Sequence, residues 1–343
     1  MKKNRKTKIT QNDVARRAGV TRSMVSYVIN GSGRSVAPVT RKKILDAISE
    51  LEYRPNKFAQ ALSMGSKGVL ADQNIGIVLC NANIFLRPYY AEILAGIHQA
   101  AHEKDFHIRF IRFFDELKEP VLFNQLIHSE EICGLLLLAL DQCIETPEDS
   151  RLIERIQAQI DQIVCVDCQI KDLSSVSFDR QAAAFQAVHY LFDQGFSDIA
   201  YLGESDQRVT GFKQAFLERG EDISRLYIDA AADMASGLKA VQKLHQSRGV
   251  LPRAICAGSD EVAVGILFYL HEKGITVPAE TALISIDNIE MAEYTYPQLT
   301  SINVQKRAMG YRAVEMIVNR AAGRGENALT LLLPTNLVIR KSS

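Results

Sequence analysis

The chain has 343 residues, 47% hydrophobic and 23% charged, which is the composition of a globular protein of two or three domains. It contains no run of 18 apolar residues that would span a membrane, and its basic N-terminus lacks the apolar stretch of a secretory signal, so we expect a cytoplasmic protein. The formal net charge of zero conceals an asymmetry, because residues 1–67 carry 15 Lys and Arg against 4 Asp and Glu (+11) and the remainder carries −11. A basic block joined to an acidic body predicts a polyanionic partner for the block.

Three short helices are predicted within the first fifty or so residues. The first begins at Thr10, where Asp13 completes a capping box, and it ends before Gly19. The second begins at the N-cap Thr21 and ends near residue 29, and the third begins at Pro38. Helical spacing predicts that the third helix buries Ile44, Leu45, Ile48 and Leu51.

The second helix has two different faces. Its apolar face carries Val25, Val28 and Ile29. The opposite face carries polar residues, with Asn30 just past the end: Arg22, Ser23, Ser26 and Tyr27. Two helices with this spacing and sidedness predict a helix-turn-helix whose second helix reads base edges in the major groove. The alternative is a small helical bundle with a polar outer face, and the charge of +11 favours the DNA-binding interpretation.

From Asn74 the chain alternates strands with helices. Strands are predicted over residues 75–79, 107–113, 134–138, 163–167, 198–202, 225–229, 253–257 and 281–286. Helices are predicted over residues 89–104, 181–194, 209–219, 236–247 and 260–273. This alternation predicts right-handed βαβ units with parallel sheets, arranged as two doubly wound lobes.

An enzyme on a doubly wound fold, or a free-standing cytosolic binding protein, is the alternative function. No GxGxxG follows the first strand, and neither a phosphate-binding GxxxxGK[ST] loop nor a GxSxG nucleophile motif is present. His98 and His102 lack the acid of an HExxH motif, and Cys165 and Cys168 lack the second pair of a zinc site. We therefore predict no catalytic residue, no metal and no cofactor. A free-standing binding protein would have no use for the basic block of residues 1–67.

The stretches DVARRAGVTRSMVSYVING and TRKKILDAISELEYRPNKFAQAL resemble the headpiece of lac repressor family (LacI/GalR-type) regulators. The resemblance continues through IGIV, RVTGF, AGSDEVAVGIL, ISIDNIEMAEYTYPQLTSI and MGYRAVEMIV to the C-terminus. It implies an all-α headpiece at residues 1–55, a hinge helix and linker at 56–73, and an α/β core at 74–343 like periplasmic sugar-binding proteins. Within the core it implies an N-lobe of about 74–174 and 304–326, and a C-lobe of about 175–303 and 327–343.

The resemblance also implies a set of DNA-binding residues. Arg22, Ser23 and Tyr27 stand where the family reads operator bases, and Thr21 and Ser26 belong to the same predicted surface. Thr10, Asn30 and Arg34 stand where the family grips backbone phosphates. The family most often has Arg at Tyr27 and Thr at Met24, and tyrosine lacks the guanidinium fork that binds guanine, so the preferred base is left open.

The segment RPNKFAQAL resembles the family's hinge helix, which is too short to be stable alone and forms when two copies meet in the minor groove. Leu62 stands where the family inserts a leucine between base steps, Ala59 allows close approach of the paired helices, and Asn56 begins the segment.

The core is expected to bind a small polar, sugar-like effector in the cleft between the lobes, at the carboxyl ends of the strands. Arg208 and Asp287 stand where the family grips the effector, and both side chains can form charge-assisted hydrogen bonds with it. The remaining predicted contacts are Asn81, Phe85, Asp167 and Ser259. The family implies a repressor that binds a near-palindromic operator as a homodimer. A protein coregulator, the inducer or corepressor logic and the effector's identity stay open, and we expect no coiled-coil tetramer because no heptad tail follows the last strand.

Overall fold

The computed structural model describes residues 9–30, 36–51, 53, 73–220, 227–321 and 328–343. Its helices are α1 (Gln11–Ala18), α2 (Arg22–Asn30), α3 (Pro38–Glu50), α4 (Pro88–Glu103), α5 (Pro120–Leu126), α6 (Pro147–Gln157), α7 (Arg180–Asp193), α8 (Gln207–Glu218), α9 (Met234–Arg248), α10 (Asp260–Glu272) and α11 (Lys306–Ala321). Its strands are β1 (Asn74–Leu79), β2 (His107–Phe113), β3 (Gly134–Leu138), β4 (Ile163–Val166), β5 (Ser174–Phe178), β6 (Ile199–Gly203), β7 (Tyr227–Asp229), β8 (Ala254–Ala257), β9 (Ala282–Asp287), β10 (Thr300–Asn303), β11 (Thr330–Leu333) and β12 (Asn336–Val338).

Helices α1 to α3 form the headpiece. Asp13 Oδ2 accepts hydrogen bonds from the backbone N–H and the hydroxyl of Thr10, at 2.9 and 2.7 Å, so the side chain of Asp13 closes the start of α1 as predicted. Gly19 ends α1 at a φ of +66°, a left-handed conformation that glycine adopts without strain.

A small apolar core holds the three helices together. Its fully buried members come from each helix in turn: Val14, Val25, Val28, Ile44 and Ile48. Leu45 and Leu51 are only half-buried, because they pack against the edge of this cluster rather than within it.

Two six-stranded sheets form the rest of the described chain. The first has the strand order β11-β5-β4-β3-β1-β2, and the second has the order β12-β10-β9-β8-β6-β7. Neighbouring strands from β4 to β2 in the first sheet, and from β10 to β7 in the second, run parallel, whereas β12 runs antiparallel to β10. The strand order reverses next to the first strand of each series, so both sheets are doubly wound, as the alternation predicted.

The described chain divides into two compact units. Unit 1 holds the chain up to Leu86 together with Ala95–Ser175 and Gly310–Leu329. Unit 2 holds Arg87–Leu94, Val176–Met309 and Thr330–Ser343.

Helices α9 and α10 approach each other closely at two glycines in unit 2. A Cβ atom on Gly237 would collide with the backbone oxygen of Val262, and one on Gly265 with the backbone oxygen of Met234. This reciprocal contact fixes α10, and therefore the residues at its N-terminus, against α9.

Candidate nucleic-acid interface and ligand-binding residues

Helix α2 presents the predicted polar face. Arg22 and Ser23 are exposed and Ser26 and Tyr27 are half-exposed, while Val25 and Val28 are buried on the opposite side. Met24 is also exposed beside them. The polar face is therefore available to another molecule, and the apolar face is used by the headpiece core.

The start of α2 agrees with the prediction from sequence, and its end differs by one residue. The hydroxyl of Thr21 accepts a hydrogen bond from the backbone N–H of Met24 at 3.4 Å, which is the N-cap role expected of Thr21. Asn30 was expected just past the helix, but α2 includes it as its last residue. The helix thus extends one residue further than the apolar spacing indicated.

The described headpiece surface also exposes positive charge on all three of its helices. The exposed basic side chains on α1 to α3 are Arg16, Arg17, Arg22, Arg41, Lys42 and Lys43. Arg17 pairs with Glu50 at 2.5 Å, and Arg22 donates a long hydrogen bond of 3.4 Å to Gln11. Exposed cations of this kind can exchange their partners for phosphate oxygens. Arg34, Asn56, Ala59 and Leu62 lie outside the described residues, as does the predicted hinge helix.

In unit 1, the three predicted ligand contacts follow strand ends of the first sheet. Asn81 comes shortly after β1 and is exposed; its amide donates to Cys80 Sγ at 3.2 Å and its Oδ1 accepts from the N–H of Asn83. Phe85 is half-exposed and makes an edge-to-face contact with Phe113. Asp167 directly follows β4, is buried, and has a left-handed φ of +56°. All three lie at the carboxyl edge of this sheet, with β3 between the strands that carry Asn81 and Asp167.

In unit 2, the other three predicted contacts follow β6, β8 and β9, which are neighbours in the second sheet. Arg208 is the second residue of α8, Ser259 precedes α10, and Asp287 ends β9. The carboxyl edge of the sheet thus brings these residues together. Ser259 Oγ accepts from the N–H of Val262 at 3.2 Å, so this buried hydroxyl caps α10.

The guanidinium of Arg208 is buried and already bonded within the chain. Its Nε donates to both oxygens of Asp206, at 3.0 and 3.1 Å, and its Nη1 donates to Gly258 O at 2.6 Å. Its Nη2 donates to Asp206 Oδ2 at 2.8 Å and to Glu204 Oε2. Burial alone would raise the pKa of Asp206, but the charge and hydrogen bonds of Arg208 hold it below its ordinary value.

Asp287 is 5% exposed and has an unusual backbone conformation, with a φ of +122°. Burial and the nearby carboxylate of Asp260 raise its pKa well above the ordinary value, and the positive charges of Lys306, Arg208 and Arg87 counter that rise. A non-glycine residue at such a φ stores strain of about 1–3 kcal/mol, and strain of this kind is typical of functional sites.

Three further residues support this edge that sequence analysis did not identify. Asp260 accepts hydrogen bonds from Ser285 Oγ (2.5 Å), Ser301 Oγ (2.7 Å) and the N–H of Ile289 (2.6 Å). Lys306 is buried and donates to the backbone oxygens of Asp287, Asn288 and Val304, which fixes the loop after β9. Arg87 Nε pairs with Glu261 at 2.8 Å. Nothing in the sequence pattern predicts that charged side chains such as Asp260 and Lys306 are buried, so these contacts could be identified only from the structure.

Membrane-spanning helices and metal-binding clusters are both absent from the described residues. No described helix combines the length and hydropathy of a membrane-spanning segment. No group of three or more His, Cys, Asp or Glu side chains within the described ranges is arranged to hold a metal ion.

Two family profiles match the chain. Residues 10–56 match the profile described as bacterial regulatory proteins, lacI family, and residues 188–343 match the periplasmic binding protein-like domain. The first match covers the three headpiece helices, and the second covers most of unit 2, including Arg208, Ser259 and Asp287.

Similar proteins match over nearly the whole length. Catabolite control protein A of Priestia megaterium is 29% identical, with 98% of this chain and 99% of that protein aligned. The ribose operon repressor of Haemophilus influenzae is 28% identical, with 97% and 98% aligned. Among solved structures, a transcriptional regulator CelR–cellobiose complex is 25% identical with a TM-score of 0.66, covering 98% of this chain and 100% of that one. The lac repressor dimer bound to operator and an anti-inducer has a TM-score of 0.68 at 22% identity, covering 98% and 99%, and so shares the fold.

Proposed function

We infer that this chain, which belongs to the lacI family of bacterial regulatory proteins, is a transcriptional repressor that binds a near-palindromic operator as a homodimer. The observation that carries the proposal is the exposed polar face of α2, where Arg22 and Ser23 point away from the headpiece core. A helix with one buried apolar face and one exposed hydrogen-bonding face is what major-groove readout requires. Two-fold symmetry of a homodimer would match the symmetry of the operator.

We propose a small, polar, sugar-like effector, bound through Arg208 and Asp287. Two relatives support this ligand class: one is named as a ribose operon repressor and one was solved with cellobiose. Asn81, Phe85, Asp167 and Ser259 stay predicted contacts. The effector would regulate operator binding by favouring one of two conformations that differ in affinity for DNA.

We further propose that the protein acts in the cytoplasm and has no enzymatic activity. Its relatives are named as regulators, and operator DNA is found in the cytoplasm of a bacterium.

Selection from a random DNA library, followed by fluorescence anisotropy on the selected duplex, tests the DNA-binding proposal. We expect Ser23→Ala to reduce discrimination between the selected site and a site mutated at one base pair, because the hydroxyl would contact a base edge. Ser49→Ala is the matched control, since Ser49 is an exposed serine of α3 outside the α2 face. Failure to select any preferred sequence would contradict the proposal.

A thermal-shift screen against sugars and nucleobases tests the effector proposal. A ligand that stabilises the wild-type chain is expected to lose its effect in Arg208→Ala and to keep it in Arg219→Ala, an arginine at the end of α8 that pairs with Asp193. A stabilising ligand that is unaffected by Arg208→Ala would overturn the assignment of Arg208.

A further inference from the structure

The bonding of Arg208 restricts what this site can bind. An arginine has five N–H donors, and the bonds to Glu204, Asp206 and Gly258 O account for four of them. Three of those four donors point at carboxylates of the chain itself. The side chain of Arg208 is only 6% exposed, whereas those of Glu204 and Asp206 are 35% and 30% exposed. The two carboxylates are therefore more exposed to solvent and to a ligand than the guanidinium is.

The other cations close to Asp287 or Asp206 also have partners in the chain. Arg87 is paired with Glu261, and Lys306 is buried with its ammonium directed at three backbone oxygens. Arg180 lies 3.6 Å from Asp206 and donates to Ser177 Oγ. Arg87, Lys306 and Arg180 thus each have an acceptor in the chain, and the partly exposed Glu204 and Asp206 add negative charge.

The partly exposed carboxylates favour ligands with hydroxyl groups over ligands with negative charge. An ionised carboxylate only accepts hydrogen bonds, so it binds ligand hydroxyl groups that donate. A phosphate near neutral pH carries up to two negative charges, and it would be repelled by Glu204 and Asp206 at short range. An anionic ligand would also have to displace these two residues from Arg208 before it could pair with the guanidinium.

We propose that Glu204 and Asp206 determine the specificity of this site by occupying Arg208, so that the site accepts neutral polyhydroxyl ligands and rejects phosphorylated or carboxylated ones. The inference rests on the proposed role of Arg208 in effector binding. It adds two residues to that site and a class of compounds that the site excludes.

Inorganic phosphate is a suitable probe, because it shows whether the guanidinium of Arg208 can bind an anion even though the effector is not identified. Isothermal titration calorimetry of the full-length wild-type chain is expected to show no Arg208-dependent phosphate binding at millimolar concentration. The double variant Glu204→Gln/Asp206→Asn keeps the size of both side chains, and asparagine caps helix α8 as well as aspartate does. This variant is expected to bind phosphate at least tenfold more tightly than the wild-type chain, and the gain should vanish when Arg208→Ala is added.

Glu218→Gln, which removes one charge from the far end of α8, is the matched control and should gain nothing. If the double variant does not fold, the single variant Glu204→Gln decides the question with a smaller gain. Arg208-dependent phosphate binding by the wild-type chain, or no gain in either variant, would refute the proposal.

A second measurement separates this inference from the proposed function. D-ribose with D-ribose 5-phosphate, and D-glucose with D-glucose 6-phosphate, are compared for stabilisation of the wild-type chain. Stabilisation by a phosphorylated sugar but not by its neutral parent would refute the specificity proposal. Operator binding is measured separately by anisotropy, so its absence would count against the proposed function alone.

Discussion

The place of Tyr27 on helix α2 could be predicted from the sequence alone. Its position on the polar face of α2 follows from a spacing of 3.6 residues per turn, and the structure confirms which side of the helix is buried. The hydrogen-bond partners of Arg208, by contrast, could not be predicted from residue spacing. Glu204 and Asp206 are ordinary acidic residues in a turn, and only the fold of β6 and α8 directs them at one guanidinium.

Tyr27→Arg is expected to change the base preference of the protein. The guanidinium fork can bind guanine O6 and N7 together, so discrimination in favour of guanine at one operator position should rise by about 1–3 kcal/mol. Competition anisotropy with duplexes that differ at single positions measures this. Ser49→Arg adds the same charge on α3 and should raise affinity for all duplexes alike. An equal effect of both variants would argue against base contact by residue 27.

Asp287→Asn is expected to alter the pH dependence of stability. The pKa of Asp287 is raised in the folded chain, so its contribution to stability is present below the unfolded pKa of about 3.9 and is lost as the pH rises through the folded pKa. Each tenfold change in the acid constant corresponds to about 1.4 kcal/mol. The variant should therefore become increasingly stable relative to the wild type from pH 4 to pH 7.

Urea unfolding at several pH values measures this difference. Glu290→Gln, at an exposed carboxylate in the turn after β9, makes the same chemical change and should track the wild type. A variant of Asp287 whose stability runs parallel to that of the wild type would show that burial does not perturb this carboxyl group. The same variant is expected to weaken effector binding, which provides an independent reading of the site.

At the scale of elements, the sequence pattern identified the buried apolar strands but not the polar ones. Gly134–Leu138 is a continuous apolar run and forms β3 as predicted. The strand Ser174–Phe178 was missed, although all five of its residues are buried, because three of them are serines. Helix Pro147–Gln157 was also missed, although Thr146 and Asp149 form a capping box at its start. Sequence periodicity detects elements through their apolar residues. It therefore misses elements whose buried side chains are polar and are satisfied by hydrogen bonds.

Gly237→Ala and Gly265→Ala are expected to destabilise the protein, against the usual trend. Alanine in a helix is normally more stable than glycine by about 0.5–1 kcal/mol. Here the added methyl group meets the backbone of the facing helix, so the variants should lose about 1–3 kcal/mol of unfolding free energy.

Chemical denaturation measures both glycine variants. Lys243→Ala, at an exposed position of α9, should change stability by no more than about 0.5 kcal/mol. Stabilisation of the chain by either glycine variant would contradict the close packing of α9 against α10.

At the scale of the whole molecule, the separation of charge is the property that composition alone already indicated. The block of residues 1–67 has a net charge of +11 and the remainder has −11, and the described part of the block exposes six basic side chains on α1 to α3. The acidic body should repel DNA, so operator affinity has to come from the basic block. The two doubly wound sheets were predicted from the alternation of elements, whereas no sequence pattern marked the network around Arg208.

The most direct test of DNA recognition by the headpiece compares the full-length chain with a chain that lacks residues 1–67. Anisotropy on a selected operator is measured between 50 and 200 mM KCl, and circular dichroism checks that the shortened chain keeps its folded core. The full-length chain should bind with an affinity that falls steeply with salt, because each phosphate contact contributes about −0.9 to the slope of log K against log salt. The shortened chain should show no operator binding; undiminished, salt-sensitive binding by the shortened chain would contradict the account.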